Sequence, residues 1–474
     1  MNKSIFYKIG AAALMMCCGV TASAQALQSG YFMEGYTYRH VLNPAFGGEH
    51  NYISIPVLGN VNVGTRGNVG LGSFLYPYQG DKLTTFMNSS VSADEFLGGL
   101  KDNNRISTNV NLTLLSAGFK AFGGYNTVDL SVRSRASFNL PYQLFEFMKL
   151  GMQGSGTTLY DMGDLGINTS NYAQIAFGHS RDINEKLRVG AKVKFLLGLA
   201  HADVKMNDMR VQMSEDSWLV KANGEMNVAL KGLTMPTKEE TGKKTDNPGE
   251  KDLIDWDNID TDGFGMTGFG MAFDLGAVYK INDDWTVSAS VLDLGFLSWK
   301  NNIKAVTGSM PWQFDGFKDI AVDPELGDDD PKSLNSQLEQ LGKDLENYAG
   351  LHRESEGGSS SSSLGATLNI GVEYALPVYD RLRFGFLSTS RLQGRYSWTE
   401  GRLSANVTPV NWFDAGVNCA VSTLGTSFGW IVNFHPKGFN FFVGMDQLMG
   451  KVNPQYIPVN NMNMNVSFGM NVTF

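Results

Sequence analysis

The sequence predicts an all-β protein, a transmembrane outer-membrane antiparallel β-barrel of about 14 strands (range 14–16) with an N-terminal plug-like segment. Three observations predict it. Apolar and polar residues alternate along many stretches, and the connections between these stretches alternate between short and long. After the first two dozen residues, no apolar run reaches the roughly 18 residues of a transmembrane helix. Lipid offers no hydrogen-bond partners, so such a chain crosses a bilayer only as a closed sheet.

The first 24 residues have the features of a secretory signal peptide. Lys3 and Lys8 make the start positive, and an apolar run follows. The alanine–serine–alanine at residues 22–24 is the small-residue pattern that a signal peptidase reads. We therefore expect cleavage before Gln25.

Three cysteines are present, and their positions bear on processing. Cys17 and Cys18 would leave with the signal peptide, so the mature chain keeps Cys419 alone and forms no internal disulfide. A lipoprotein signal is the alternative to simple cleavage. It needs a small residue just before its cysteine, whereas Met16 precedes Cys17.

The closing residues, 462–474, alternate between apolar side chains and small or polar ones up to the terminal Phe474. This period of two predicts a strand with one apolar face and one polar face. The stretch is long enough for a membrane-spanning strand, which needs roughly 9–11 residues. The same alternation recurs in earlier stretches, at 106–114, 128–138, 187–197 and 285–291.

The aromatic residue at the end of the last strand resembles the signal that the outer-membrane barrel-assembly machinery reads. We expect Phe474 to be this assembly signal and the machinery to be a partner. The competing interpretation is a secreted soluble β-protein, such as a propeller or a sandwich. That class needs neither a terminal phenylalanine nor strands of this length.

The connections between predicted strands fall into two classes. Short turns are predicted at 123–126, 181–186, 281–284, 378–381, 408–411 and 435–438. Long connections are predicted near 77–104, 140–170, 232–265, 301–363 and 448–461. Outer-membrane barrels have short periplasmic turns and long outer loops, so an even strand count places both termini in the periplasm.

Some long connections contain features of their own. Residues 356–363 (EGGSSSSS) predict a flexible loop tip, and residues 333–348 predict a short helix with a leucine stripe. The aromatic and apolar residues 144–150 are expected at the membrane interface or over the barrel mouth, where a hydrophobic ligand could land.

Residues 25–50 are rich in aromatic side chains and lack strict alternation. They predict a segment that fills the barrel interior as a plug, because so many aromatic residues are rarely left exposed. A frayed, solvated terminus is the alternative. The predicted boundaries are a signal peptide at 1–24, the plug segment at 25–50 and the barrel with its loops at 51–474.

Asn43, Pro44 and Ala45, followed by Phe46, form an NPA element in this segment. The element resembles one near the start of the long-chain fatty-acid transporter superfamily and its secretion-associated relatives. With the later string NYISIPVLGNVNVG, it resembles an uncharacterised Bacteroidota family of outer-membrane proteins, a domain of unknown function. The resemblance implies a 14-strand barrel with its N-terminal segment in the lumen. It leaves the substrate open, since the superfamily includes transporters and non-transporting secretion partners.

Basic residues lie on the polar faces of several predicted strands, which face the lumen in a barrel. Two roles stay open for them: attraction of an anionic solute or carboxylate head group, or pairing with interior acids that hold wall and plug together. These residues are Arg133, Arg135, Arg188, Lys192, Lys194, Arg383 and Arg402.

Other classes of function lack a signal. The net charge is −9 and no basic arm is present, which argues against nucleic acid as a partner. The six histidines form no metal-binding motif, so we predict no bound metal. No catalytic motif is present either, so we predict no cofactor, no catalytic residue and no enzymatic activity. Residues 258–263 imitate the start of a calcium loop, but Phe269 stands where the bidentate glutamate belongs.

The function predicted from these features is uptake or passage of a hydrophobic or amphipathic small molecule, in the manner of fatty-acid transporters. The alternative is a non-transporting barrel that holds a secretion or periplasmic protein at the surface. Either would contact membrane lipids and lipopolysaccharide. A continuous apolar pocket leading inward from residues 140–170 would favour transport, and a sealed plug under a large loop platform would favour the scaffold.

Overall fold

The structure is a computed structural model that describes residues 27–48, 50–78, 82–152, 156–215, 217–243, 250–263, 265–308, 312–314, 348, 350–447 and 463–474. The predicted signal peptide at 1–24 lies outside these residues, as does most of the helix predicted at 333–348.

Long antiparallel strands make up most of the described chain. Three are built from two consecutive segments, because a loop or a kink interrupts them. The strands are β1 (Tyr52–Ser54 and Asn60–Gly67), β2 (Asn103–Ala121), β3 (Gly124–Pro141), β4 (Gly166–Asp182), β5 (Leu187–Met213), β6 (Trp218–Leu230 and Gly268–Lys280), β7 (Trp285–Thr307), β8 (Leu351–Ser363 and Ala366–Leu376), β9 (Tyr379–Leu392), β10 (Trp398–Val410), β11 (Phe413–Ser422), β12 (Gly425–Phe434), β13 (Asn440–Met445) and β14 (Met464–Thr473).

The sheet closes on itself. Each strand pairs in antiparallel fashion with the next along the chain, and β14 pairs with both β13 and β1. In the closing pair, Val61 lies opposite Phe468 and Tyr52 opposite Thr473. The predicted fold class is confirmed: all-β, a closed antiparallel barrel of 14 strands with an N-terminal segment.

The barrel is polar inside and apolar outside, the reverse of a water-soluble protein. Lys192 and Lys194 are each only 3% exposed, whereas Leu403 is 59% and Phe428 64% exposed. The alternation in the sequence produces this inversion, since successive residues of a strand point to opposite faces. An apolar exterior around a polar lumen is the arrangement of a transmembrane barrel.

The two ends of the barrel differ. At the end that carries Phe474, here the turn end, the strands are joined by the short turns that the sequence predicts. Large exposed aromatic residues lie near this end, and the sequence analysis did not anticipate them as a group: Tyr279, Trp285, Tyr379, Trp412, Phe434 and Phe439. They form the kind of aromatic girdle that outer-membrane barrels carry at the membrane interface.

The opposite end, here the loop end, carries additional structure. The loop between β1 and β2 contains a small sheet, formed by strands Leu75–Tyr78 and Lys82–Thr85, and helix α1 (Ala93–Leu97). The loop after β3 begins with helix α2 (Tyr142–Leu150). Phe86 stacks on Phe96 at 4.1 Å, and Lys149 of α2 donates hydrogen bonds to the carbonyl oxygens of residues 86, 88 and 91. These contacts join the two loops into one cap. Among the described residues, no helix is long and apolar enough to cross a membrane.

One sequence prediction about the loops is wrong. Residues 356–363, predicted as a flexible loop tip, belong to β8 and pair with β7, where Ser360 lies opposite Trp299. A β-ladder is held by backbone groups, so serines and glycines can extend it beside a well-formed neighbour. Trp299 also donates its Nε1–H to Ser362 Oγ at 2.8 Å. The connection predicted at 301–363 is correspondingly shorter.

Phe474 lies at the turn end and is 73% exposed, and its backbone N–H donates to the carbonyl oxygen of Asn51 at 3.0 Å. Its side chain contributes little to packing, so Phe474→Ser is expected to leave the finished barrel intact but to lower the amount assembled in cells severalfold. Heat-modifiable gel mobility of outer-membrane fractions measures this. Phe439→Ser, which removes an exposed aromatic from the same end, is the matched control. Equal assembled amounts for both variants would contradict the assigned role.

Candidate functional site in the barrel lumen

The N-terminal segment, residues 27–48, lies inside the barrel. Two short 3₁₀ turns, Gln28–Gly30 and Thr37–Val41, fold it into a compact unit without strand pairing. Its apolar side chains bury themselves against Leu387, Ile431 and Phe442 of the wall. The buried apolar residues of the segment are Leu27, Tyr31, Phe32, Met33, Tyr36, Tyr38, Leu42 and Ala45. Aromatic residues in an irregular stretch are thus removed from water by the lumen.

The wall makes room for this segment with glycines. Gly190 of β5 and Gly276 of β6 lie under Pro44 and Asn43, and a Cβ atom at either glycine would collide with them. Gly385 of β9 lies against the ring of Phe32, and a Cβ atom there would likewise collide with it. Glycine allows this close approach because it carries no side chain. The alternating pattern could not single out these glycines, since glycine occurs throughout the chain.

The NPA element lies at the point of closest contact. The Asn43 side chain donates to the carbonyl oxygens of Ala277 (3.4 Å) and Ala289 (3.2 Å) on neighbouring strands. Its Oδ1 accepts the backbone N–H of Ala45 at 2.9 Å, which fixes the turn around Pro44. Phe46 is half-buried, and the guanidinium of Arg39 lies 4.1 Å above its ring.

Replacing Gly276 with leucine is expected to dislodge the NPA element, because the new side chain would occupy the space of Asn43 and Pro44. Trypsin should then cut after Arg39, which is held inside the wild-type barrel, at least tenfold faster in purified protein. Gly401→Leu is the matched control, since a Cβ atom there meets nothing closer than Phe386 at 3.5 Å. Equal cleavage rates in the two variants would contradict the seating of the segment.

Polar contacts hold the backbone of the segment at two places. Asp446 at the end of β13 accepts the backbone N–H groups of Gln28 (2.9 Å) and Ser29 (2.6 Å). The carbonyl oxygen of Leu42 accepts from Ser290 Oγ at 2.9 Å and from Asn369 Nδ2 at 3.0 Å. Backbone groups that lack a strand partner are thereby satisfied by wall side chains, as buried polar groups require.

A closed hydrogen-bond ring links the segment to four wall strands, β1, β2, β3 and β5. Lys192 Nζ donates to His40 Nδ1 at 2.8 Å and to Asp129 Oδ2 at 3.0 Å. An ammonium has no acceptor, so His40 carries its proton on Nε2 and donates it to the Tyr52 hydroxyl at 2.8 Å. Tyr52 then donates to Ser116 Oγ (2.7 Å), which donates to Asp129 Oδ1 (2.6 Å). We name these five residues the His40 ring.

On the loop-end side of the segment, the lumen contains a chamber of about 90 Å³. Val41 and Leu42 of the segment form part of its floor. Wall strands contribute a mostly polar lining with four basic side chains and one acid. These five residues are Arg133, Arg135, Lys194, Asp293 and Arg391.

Two carboxylates compensate half of the positive charge in the chamber. Asp293 lies 2.6 Å from Lys194, 3.3 Å from Arg391 and 3.6 Å from Arg133. Asp274 is 2.6 Å from Lys194 as well. Among the described residues, no carboxylate lies within ion-pair distance of Arg135, which donates to Asn109, Gln393 and a backbone carbonyl instead.

The other predicted lumen residues lie elsewhere, and each has an acidic partner. Arg188 lies at the turn end beside Asp182 at 3.6 Å. Arg383 bridges Glu34 of the segment (2.6 Å) and Glu373 of β8 (3.0 Å).

Arg402 forms a second buried group with Glu400 (2.7 Å) and Asp446 (3.7 Å), and Arg66 lies 3.3 Å from Glu400. Six of the seven predicted basic residues therefore contact a carboxylate: Arg133, Arg188, Lys192, Lys194, Arg383 and Arg402.

Two of the five charged residues of the chamber, Asp293 and Arg391, are not among the residues predicted from the sequence. Arg391 continues the polar face of β9 that starts at Arg383, so the period of two could have found it. Asp293 has a positive φ of 57° at an irregular point of β7, and no periodic pattern marks that place. Within the described ranges, no group of three or more histidine, cysteine or acidic side chains could hold a metal ion.

Comparison with known proteins identifies the family. The model of a family of unknown function, DUF5723, matches residues 44–446. The chain belongs to the DUF5723 family. The prediction of a family of unknown function is thus confirmed, while the wider relation to the fatty-acid transporters stays a prediction. No curated protein matches the sequence of this DUF5723 member.

Several solved structures match this chain over most of its length. TbuX, a toluene transporter of Ralstonia pickettii, is 9% identical, with 96% of this chain and 95% of that chain covered and a TM-score of 0.39. The toluene transporter TodX of P. putida is 10% identical, with 96% and 94% covered and a TM-score of 0.39. The monoaromatic hydrocarbon channel CymD is 9% identical, with 96% and 95% covered and a TM-score of 0.30. Scores this low say nothing about what the DUF5723 chain binds.

Proposed function

We propose that this protein is an outer-membrane channel for a small amphipathic molecule, with the N-terminal segment as its closed gate. The observation that carries the proposal is the lumen chamber that ends on this segment, with Val41 and Leu42 in its floor. A molecule that entered from the loop end would meet the chamber first and the segment second.

The segment is suited to move without loss of the barrel. It adds no strand to the sheet, and hydrogen bonds, packed rings and the Glu34–Arg383 ion pair hold it to the wall. Breaking them leaves all fourteen strand pairings in place. The Asn43 contacts to Ala277 and Ala289 join the segment to two strands at once, so we assign Asn43 the role of a latch.

The chamber also narrows the class of molecule. Its lining is mostly polar and includes charged side chains, so it fits a polar head group better than a hydrocarbon tail. Asn168, Ser170 and Tyr172 of β4 face it from the side of residues 140–170. The lining on this side is therefore mostly polar, and it differs from the continuous apolar pocket that would favour transport of a hydrocarbon.

The test is uptake by a strain that lacks the gene. Wild-type protein is expected to restore uptake of one or more labelled amphipathic solutes, including fatty acids, and Asn43→Ala to change the rate severalfold. Asn184→Ala, in an exposed turn, is the matched control. Identical uptake with and without the protein across a broad panel would contradict the channel.

A scaffold is the second candidate, and one observation favours it. Strand β5 has 27 residues, or roughly 90 Å at a rise of about 3.3 Å per residue, far more than the ~30 Å hydrocarbon core. Its loop-end part, with β6 and the strands Thr158–Asp161 and Trp312–Phe314, forms a sheet outside the membrane. Purification in mild detergent distinguishes the two, since a scaffold retains a stoichiometric protein partner and the proposed channel does not.

A further inference from the structure

We infer that the lumen chamber is a binding site for an oxyanion head group, a carboxylate or a phosphate, held by Arg135 and Arg391. This inference deepens the proposed function and rests on it, because it names the polar end of the molecule that the channel admits. Four features of the chamber carry it.

The first feature is a convergence of two guanidinium groups. Arg135 Nη1 and Arg391 Nη2 both donate to the carbonyl oxygen of Leu364, Arg135 at 3.2 Å. Guanidinium groups repel each other, so two of them on one neutral oxygen leave a strong preference for a negative charge. The planar fork of arginine matches the two oxygens of a carboxylate or phosphate.

The second feature is the charge balance. Arg133, Arg135, Lys194 and Arg391 supply four positive charges, and Asp274 and Asp293 supply two negative ones. Both acids are fully engaged by Lys194, Arg133 and Arg391. The chamber therefore retains two positive charges, centred on Arg135. An oxyanion would neutralise part of this excess.

The third feature is a set of unused donors. The Nε atoms of Arg133 and Arg391 are buried and have no hydrogen-bond partner in the described part of the chain. Arg391 is only 3% exposed. A buried donor without a partner costs free energy, and an oxyanion has the lone pairs to satisfy several such donors.

The fourth feature is the local backbone. Leu364 and Gly365 lie in the kink between the two segments of β8, where Gly365 has a φ of +74°. The kink takes the Leu364 carbonyl out of the β-ladder and leaves it to the two arginines. The Leu364 carbonyl therefore marks the point on which the donors of the two arginines converge.

The site also touches the gate. Leu42 lines the chamber, and its carbonyl oxygen accepts hydrogen bonds from Ser290 and Asn369. Asn369 lines the same chamber as Arg135 and Arg391. A head group on Arg135 and Arg391 would therefore rest against the segment that closes the lumen.

The experiment measures binding to the full chain purified in a non-ionic detergent, by equilibrium dialysis with labelled dodecanoate, dodecyl phosphate and dodecanol. The two anions are expected to bind at one per chain, at least tenfold tighter than the neutral alcohol. Whichever anion binds more tightly identifies the head group. Equal affinity for the alcohol and both anions would overturn the inference.

Arg135→Gln is the decisive variant, because Arg135 has no described acidic partner that its loss would leave unpaired. It is expected to weaken anion binding at least tenfold and to leave dodecanol unchanged. Arg181→Gln, at the exposed turn end of β4, is the matched control. Unchanged anion binding in Arg135→Gln would overturn the site.

Two further arms keep the outcome unambiguous. If Arg135→Gln does not assemble, Arg135→Lys takes its place, because it keeps the positive charge but lacks the planar guanidinium. Arg135→Lys is expected to lose anion affinity severalfold. Full wild-type affinity in this variant would overturn the site. Anion binding that depends on Arg135 without any cellular uptake supports the site and refutes the channel. Uptake without such binding supports the channel and refutes the site.

Discussion

A variant that lacks residues 27–46 is expected to form an open pore. In the wild-type barrel this segment fills the lumen with packed rings and hydrogen-bonded backbone, while the sheet closes without it. Its removal should leave the fourteen strands in place and let water and ions pass. Single-channel recordings in planar bilayers should show steps at least tenfold larger than any wild-type conductance.

A matched control lies within the same segment. The Gln28 side-chain oxygen has no hydrogen-bond partner among the described residues, so Gln28→Ala should leave the segment seated and the barrel closed. Gel mobility confirms that both variants assemble. A deletion variant that assembles but conducts no more than the wild type would show that something other than the segment closes the lumen.

Lys192→Met is expected to have the largest effect on stability. Lys192 is 3% exposed and pairs with both Asp129 and His40, so its loss leaves a buried carboxylate without a cation. Breaking a buried ion pair from one side typically lowers the free energy of unfolding by about 3–5 kcal/mol. Urea unfolding of the barrel in lipid vesicles, followed by tryptophan fluorescence, measures the loss.

The double variant Asp129→Asn with Lys192→Met isolates the cause. Removing both charges should recover most of the lost free energy, because the penalty comes from the unpaired carboxylate and not from the methionine. Lys186→Met, in an exposed turn, is the matched control and should be neutral. A double variant as unstable as Lys192→Met alone would assign the loss to packing.

Periodicity made most of the fold predictable. In β5, Phe195 faces outward while Lys192 and Lys194 are buried, as the period of two requires. In β14 the same period continues to the terminus, and there the strand closes the barrel against β1. A membrane barrel imposes this pattern because every spanning residue contacts either lipid or lumen.

Features that depend on contacts between distant residues were not predictable. Residues 356–363 contain nothing that marks a strand, and they become one because β7 extends far enough to pair with them. Asp293 lies in the chamber through an irregular backbone, and Gly190 and Gly276 matter only because Asn43 and Pro44 lie over them. The sequence showed which residues face the lumen, but not which of them meet.

Hydrogen exchange of residues 28–46, measured by mass spectrometry on the full chain in lipid nanodiscs, tests the central claim most directly. If the N-terminal segment fills the lumen of a membrane barrel, its backbone amides exchange nearly as slowly as those of the neighbouring strands, although the segment belongs to no sheet. Exchange of these amides as fast as in an unfolded peptide, with the strands still protected, would contradict the account.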